Sequence, residues 1–495
     1  MSVSPVPPIR VRACNDRPSH SDGRFVVYWM NASRRTHANF ALQRALEWCG
    51  KLGLPLLILE TLGCRARWSC DRFHKFVIEG MRDNAARCHE LGVTYHAYIE
   101  PSPRHGRGMI EHLAQSVAVI VTDDFPGHFL PKMLAAVAPR LPVLMEAVDS
   151  NGLWPMRATD LVFPTAHAFR RFLQKNLTPH LSELPKDDPF RGQKLRPIDA
   201  ALLDEFRSRW PSANDSLLTA SSSALSELPI DHAVGPAAFD GGEVAARKTF
   251  QRFLAHRLPR YAEHRNDPEE EAASGLSPYL HFGHISIHEI FTALAQRDDW
   301  SPEKLSATTK GSREGWWGMT PEVESFLDEA VTWREIGFNM CSHRDDYDQF
   351  ESLPDWAQKT LNDHARDPRP RLYSPSQLEA AETHDELWNA AQRQLVRDGR
   401  MHNYLRMLWG KKILEWSASP REALDALIDL NNKYAVDGRD PNSYSGICWT
   451  LGRYDRAWGP VRPIFGTIRY MSSENTARKL KVKGYLQRYA ARGLF

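Results

Sequence analysis

Five short apolar runs, separated by stretches with helical spacing, fill the first third of the chain. The runs are FVVYWM (Phe25–Met30), LPLLILETL (Leu54–Leu62), VTYHAYIE (Val93–Glu100), VAVIVTDD (Val117–Asp124) and LPVLMEAVD (Leu141–Asp149). Runs that are apolar at nearly every position suit strands buried on both faces, and the intervening helices supply the covering layers. In Ala38–Lys51 the residues Ala41, Leu42, Ala45, Leu46 and Cys49 recur at helical spacing, and a second helical region spans Arg72–Leu91. A five-stranded parallel sheet in a Rossmann-like α/β domain is therefore expected over residues 24–175. Its ligands would sit at the carboxyl ends of the strands. Residues 1–23 are polar and Pro-rich with no apolar core, so they read as a disordered N-terminus and not a signal peptide.

Residues 176–242 are rich in Pro, Ser, Asp and Gly and read as an interdomain linker. From 243 to 495 the pattern is helical almost throughout, over 243–265, 286–297, 321–341, 355–366, 375–397, 401–416 and 419–433. The seven cysteines form no CxxC pair, which argues against a disulfide framework or a zinc site and for a reducing, cytoplasmic location. No run of 18 apolar residues occurs, so no membrane span is expected. The net charge is only +2, but residues 401–495 hold 16 Lys and Arg against 8 Asp and Glu. That leaves +8 in the last segment and about −6 before it, a basic region of the kind that meets phosphate backbones.

No GxGxxG follows the first run, and no HExxH, GxSxG or metal-spaced His cluster appears, so hydrolytic and metal mechanisms have little support. The informative segment is Leu387–Arg456. On its helix 401–416, Arg406, Trp409 and Trp416 lie near one face. Alone, this reads as a core stripe with one snorkelling Arg.

The segment closely resembles the flavin-binding domain of class II cyclobutane pyrimidine dimer photolyases, in the photolyase/cryptochrome family. The matching strings are WNAAQ, MHxYxRMxW (Met401–Trp409), KKILEW, DGRDPN, DRAWG and IFGxIRYM (Ile464–Met471), with SGLSPYLHFGHIS (Ser274–Ser286) as the flavin-phosphate segment. WMNASRRTHANFAL resembles the N-terminal antenna domain more loosely. The resemblance implies an α/β Rossmann-like antenna domain followed by an all-α domain holding FAD, active as FADH⁻. It implies light-driven splitting of pyrimidine dimers in UV-damaged DNA by a monomer with no membrane attachment. The antenna chromophore would be a deazaflavin or a folate, or absent.

The resemblance also assigns roles. Ser274, Leu276 and Ser277 would hold the FAD diphosphate at a loop that opens a helix, with Tyr261 and Arg265 nearby. Arg406 would pair with Asp437 beside the isoalloxazine, and Asn431, or Asn432 next to it, would place an amide against flavin N5. Trp388, Trp409 and Trp416 match the family's electron-transfer tryptophans, in an order the sequence leaves open. Trp333 and Trp449 resemble the aromatic wall that receives the flipped-out dimer, and Met407 would pack against it. Glu329 would donate to a thymine carbonyl, which requires it to be protonated. Arg453, Arg456, Lys479 and Lys481 are candidates for phosphate contacts. The sequence departs from the usual pattern at Asn403, Ser443 and Cys448, where Gly, Gly and Ala are common. Two other readings are a cryptochrome-like photosensor without repair and a (6-4) photoproduct photolyase. The second depends on an active-site His, for which only His402 lies in the dense segment.

Overall fold

The five apolar runs all form strands, and a sixth joins them. In the computed structural model, which describes residues 5–491, the strands are β1 (Val11–Ala13), β2 (Phe25–Met30), β3 (Leu56–Leu62), β4 (Thr94–Ile99), β5 (Val117–Asp123) and β6 (Met145–Val148). Their order in the sheet is β1-β6-β5-β2-β3-β4. β2 to β6 pair in parallel, whereas β1 runs antiparallel to β6, with Val11 opposite Val148. The sheet is thus six-stranded and mixed, not the expected five-stranded parallel one. β1 also corrects the expectation of disorder over residues 1–23, of which residues 1–4 lie outside the described residues. Its cause lies in Arg10, whose buried guanidinium donates to the carbonyls of Asp149 and Leu153 and pins the segment beside β6. A three-residue strand with two residues exposed leaves no periodic apolar signal.

The chain divides into two compact units. The first takes residues up to Thr159, Leu177–Phe250 and Leu276–Pro302; the second takes Asp160–Asn176, Gln251–Gly275 and the chain from Glu303 onward. In the first unit, one face of the sheet packs Val26, Tyr28 and Ile58 against Phe40, Leu42 and Leu46 of the helix Phe40–Leu52. The other face buries Val27, Leu57 and Ile120 together with Phe206 and Trp210. Most of the segment 176–242 therefore packs within this unit, and the Trp210 indole donates to the His105 carbonyl at 2.9 Å.

β2 and β5 are neighbours at the point where the strand order reverses, the usual ligand crevice of such sheets. Here Asp123, at the end of β5, fills it. Its Oδ2 accepts from the backbone N–H groups of Asn31, Ala32 and Ser33 at 2.8, 2.8 and 3.1 Å, and its Oδ1 accepts from the Tyr28 hydroxyl. These are the donors that a phosphate would take, so the missing glycine fingerprint has a structural counterpart. Gly283 closes over the same loop with φ +69°, and a Cβ there would lie 2.0 Å from the Ala32 carbonyl oxygen.

The second unit is helical, and most of the expected helices are present. The stretch 375–397 breaks into Pro375–Glu379 and Glu386–Asp398, because Ala381 takes φ +57° and Asp385 caps the second helix. A helix not expected from the sequence, Pro441–Thr450, starts at an Asp440 cap with Pro at its first position. No helix among the described residues is long and apolar enough to cross a membrane.

Candidate active site

The helix Asn403–Trp416 is buried on most of its circumference, which puts its functional side chains in the middle of the second unit. Trp388 reaches it from Glu386–Asp398. Its indole N–H donates to the Trp409 carbonyl at 3.0 Å, and its ring meets Trp416 edge to face at 5.4 Å. The Trp409 indole in turn donates to Gln392 at 2.8 Å. All three tryptophans are almost wholly buried. Trp416 also touches Tyr373 at 5.3 Å and His384 at 5.4 Å, and the Tyr373 hydroxyl lies 2.7 Å from His384 Nδ1. His384 is exposed, so Trp416 stands between Trp388 and the surface. Tyr373 and His384 were missed in the sequence because they lie outside the matching strings. Trp388, Trp416 and Tyr373, in edge contact, make a short path for an electron or a hole, which Trp409 joins through its backbone carbonyl.

Arg406 Nη2 pairs with Asp437 Oδ1 at 3.1 Å, as the motif implies, and both side chains are only partly buried. Asn431 lies in the last turn of Pro420–Tyr434 and is buried. Its amide donates to the Ser443 hydroxyl at 2.7 Å. Asn432 has its carbonyl oxygen on the Arg439 N–H at 2.9 Å and its amide on the Tyr444 hydroxyl at 3.1 Å. Asn432 is thus committed to the fold at both ends, which favours Asn431 as the amide with a functional role. Ser443, one of the departures from the family pattern, supplies the hydroxyl that orients it.

Glu329 and Trp333 lie in a π-helical turn, Asp328–Trp333, between the helices Pro321–Leu327 and Arg334–His343. Such turns collect at functional sites. The turn is held from below by Asp328, which takes the Arg170 guanidinium at 2.6 and 3.0 Å. The Glu329 carboxylate pairs with Arg265. Trp333, Met407 and Trp449 are half-buried. Behind Trp449 lies Lys411, a fully buried cation that sequence reading passed over.

The basic candidates divide. Arg456, Lys479 and Lys481 are exposed. Arg453 is 1% exposed and donates to the Tyr347 carbonyl at 2.7 Å and to the Ser352 hydroxyl, so it braces the interior and cannot meet a phosphate at the surface. Tyr261 is buried against Phe253 and Phe326, with Arg265 over its ring at 5.7 Å. Leu276 is buried, whereas Ser274 is half-buried and Ser277 is exposed. The helix they open is only Ser277–His281, too short to add a substantial dipole field.

Arg406, on the helix Asn403–Trp416, and Asp437, in the turn after Pro420–Tyr434, form one polar pair, and the Asn431 amide lies in the last turn of that second helix. Among the described residues no group of His, Cys, Asp or Glu could hold a metal ion.

The chain is similar over most of its length to known proteins. The deoxyribodipyrimidine photo-lyase of Methanothermobacter thermautotrophicus is 34% identical over 480 residues, 97% of each chain. The chain belongs to the deoxyribodipyrimidine photo-lyase family. It is accordingly an enzyme, a lyase of the DNA-repair class. The photo-lyase of Potorous tridactylus is 32% identical over 92% of this chain and 79% of its own length. That of Oryza sativa is 34% identical over 93% of this chain and 86% of its own. No protein-family profile matches the chain. The crystal structure of a bacterial class III photolyase from Agrobacterium tumefaciens superposes with a TM-score of 0.68 at 16% identity, covering 96% of this chain and 88% of that one. At that identity the likeness extends to the fold: an α/β sheet domain followed by a helical part.

Proposed function

We propose that the chain is a class II photolyase that splits cyclobutane pyrimidine dimers in UV-damaged DNA under blue light. The observation that carries this reading is the buried tryptophan set, in which Trp388 bridges Trp409 and Trp416 and Trp416 opens toward the surface through Tyr373. FAD, when bound in reduced form, would supply the photoexcited electron that breaks the dimer. The residues of the chain do the rest. Arg406 and Asp437 orient the ring by charge-assisted hydrogen bonds, Asn431 offers its amide at the ring edge, and the tryptophans conduct. Trp333, Trp449 and Met407 receive the flipped lesion, whose weak stacking lowers the cost of extrusion. Arg456, Lys479 and Lys481 meet the phosphates.

The (6-4) alternative requires a histidine that exchanges protons near neutral pH. Burial holds His402 down to about 4, so it stays neutral through that range. All seven cysteines are free, which suits a reducing compartment, and we assign the chain to the cytoplasm. The test is repair of a dimer-containing oligonucleotide by the purified, reduced protein under blue light, compared with Trp388→Phe. The intact protein is expected to restore the monomers. The Phe variant should repair when chemically reduced but lose photoreduction. A protein that binds FAD, photoreduces and leaves every dimer intact would establish the photosensor reading instead.

A further inference from the structure

Lys411 has no exposed surface. Its Nζ donates to the Thr450 carbonyl at 2.6 Å and stands 4.9 Å from the centroid of the Trp449 ring. The Arg469 guanidinium lies 5.7 Å from the same centroid. Gly410 allows this approach, since a Cβ there would be 2.5 Å from Thr450 Cγ2 and would push the helix Pro441–Thr450 away. A buried ammonium faced by one carbonyl and one indole is finely balanced. Burial disfavours the charge, and the ring's negative face and the carbonyl favour it.

The charged groups that act on Lys411 are Asp455 and Arg469, which pair with each other at 3.7 Å. Several other charges on the packed elements have partners of their own. On its own helix Lys412 pairs with Glu415. Asp385, the cap of Glu386–Asp398, lies toward Lys412. On Pro420–Tyr434, Arg421 and Lys433 pair with Glu351 and Glu379. Burial, reinforced by Arg469 and opposed by Asp455, brings the Lys411 ammonium from 10.5 down to about 7.

We propose that Lys411 is a positioning residue for Trp449: its ammonium, fixed on the Thr450 carbonyl, holds the indole in the plane that receives the dimer, and the hold is released when the ammonium loses its proton. The proposal rests on the reading of Trp449 as the lesion wall. Only the protonated form is attracted to the ring, so the hold is strong at pH 6 and weak at pH 9. Protonation changes no covalent bond; the proton passes between the ammonium and solvent.

The test has two arms on the full chain. The difference in fluorescence between the protein and Trp449→Phe isolates the Trp449 indole, and its titration from pH 5.5 to 9.5 is expected to show one step near 7. The step should vanish in Lys411→Met. The second arm is the ratio of affinities for a dimer-containing and an undamaged oligonucleotide. It should fall about tenfold from pH 6 to 9, the scale of a buried cation–π contact. Lys411→Arg, which keeps the charge, should hold the acid-side ratio throughout, and it replaces the Met variant if that one does not fold. A step that persists unchanged in Lys411→Met or Lys411→Arg overturns the proposal. If dimers are not preferred at any pH, the lesion-wall reading fails, and the fluorescence arm still decides whether Lys411 holds Trp449.

Discussion

At the carboxyl edge of the sheet, Asp123 takes three backbone N–H groups and a phenol, and buried Glu60 takes Arg34, Asn84 and Tyr95 at 2.9, 2.8 and 2.6 Å. Around the helix Asn403–Trp416, by contrast, Arg406, Asp437, Met407, Trp333 and Trp449 are only half-buried. The first region satisfies both carboxylates with internal donors. The second leaves charged and aromatic faces within reach of something that is not protein. The difference separates structure from chemistry within one chain. A change in the first region should cost stability at constant function, and a change in the second should cost function at nearly constant stability.

The sharpest way to break this contrast is Asp123→Ala. Each buried donor left without its acceptor costs about 1–3 kcal/mol, and four donors lose theirs, so the loss of stability in urea unfolding should be the largest of the changes considered. Dimer binding per folded molecule should not move. Next is Glu243, whose carboxylate meets His37 at 2.6 Å and Arg247 at 3.4 Å. Burial alone would raise its pKa, but these partners and the Thr36 N–H outweigh it and bring the value from 4.5 to about 2. A depressed carboxylate stabilises the fold fully above the unfolded value and loses that contribution as pH falls through the folded one. About 3 kcal/mol should therefore disappear between pH 4.5 and pH 2 in acid unfolding, and Glu243→Gln should flatten that part of the profile.

In the second region, Trp449→Ala should weaken binding to dimer-containing DNA by about 1–3 kcal/mol, the range for a base stacked on an aromatic ring, with little change in melting temperature. Melting that falls in step with binding would mean Trp449 is merely core. The smallest effect is expected of Lys481→Ala. It should reduce the slope of log affinity against log salt by about 1 for a single lost phosphate contact and leave both folding and dimer preference alone.

What could be read in advance follows the same physics. The five long strands were legible because FVVYWM and VAVIVTD are apolar at almost every position, which only a doubly covered strand explains. β1 was not, since Val11, Arg12 and Ala13 carry no period and are held there by Arg10. The helix Pro441–Thr450 was hidden by Asn, Ser and Gly, although Asp440 followed by Pro441 was a usable start signal. The pairing of Arg406 with Asp437 followed from the motif. Arg453 was misread because charge in a sequence says nothing of burial. Lys411 left one trace, a lysine amid Leu408, Trp409, Gly410, Ile413 and Leu414, and that trace is a reason to suspect a buried amine.

The π turn at Asp328–Trp333 has a consequence for the helices on either side. It holds one residue more per turn than an α-helical path, and each extra residue rotates everything after it by about 100°. The rod from Pro321 to His343 therefore has two phases. Its first half packs Phe326 on Phe253, and its second lays Gly337 so near the Pro441 carbonyl that a Cβ there would lie 2.7 Å from the oxygen. Winding the same residues as a regular helix would swing Gly337 about 100° off that contact, whereas deleting one residue inside the turn would leave a regular helix with Gly337 on the same face. The turn acts as a phase shifter, letting one continuous helix fit two surfaces whose periodicities do not match.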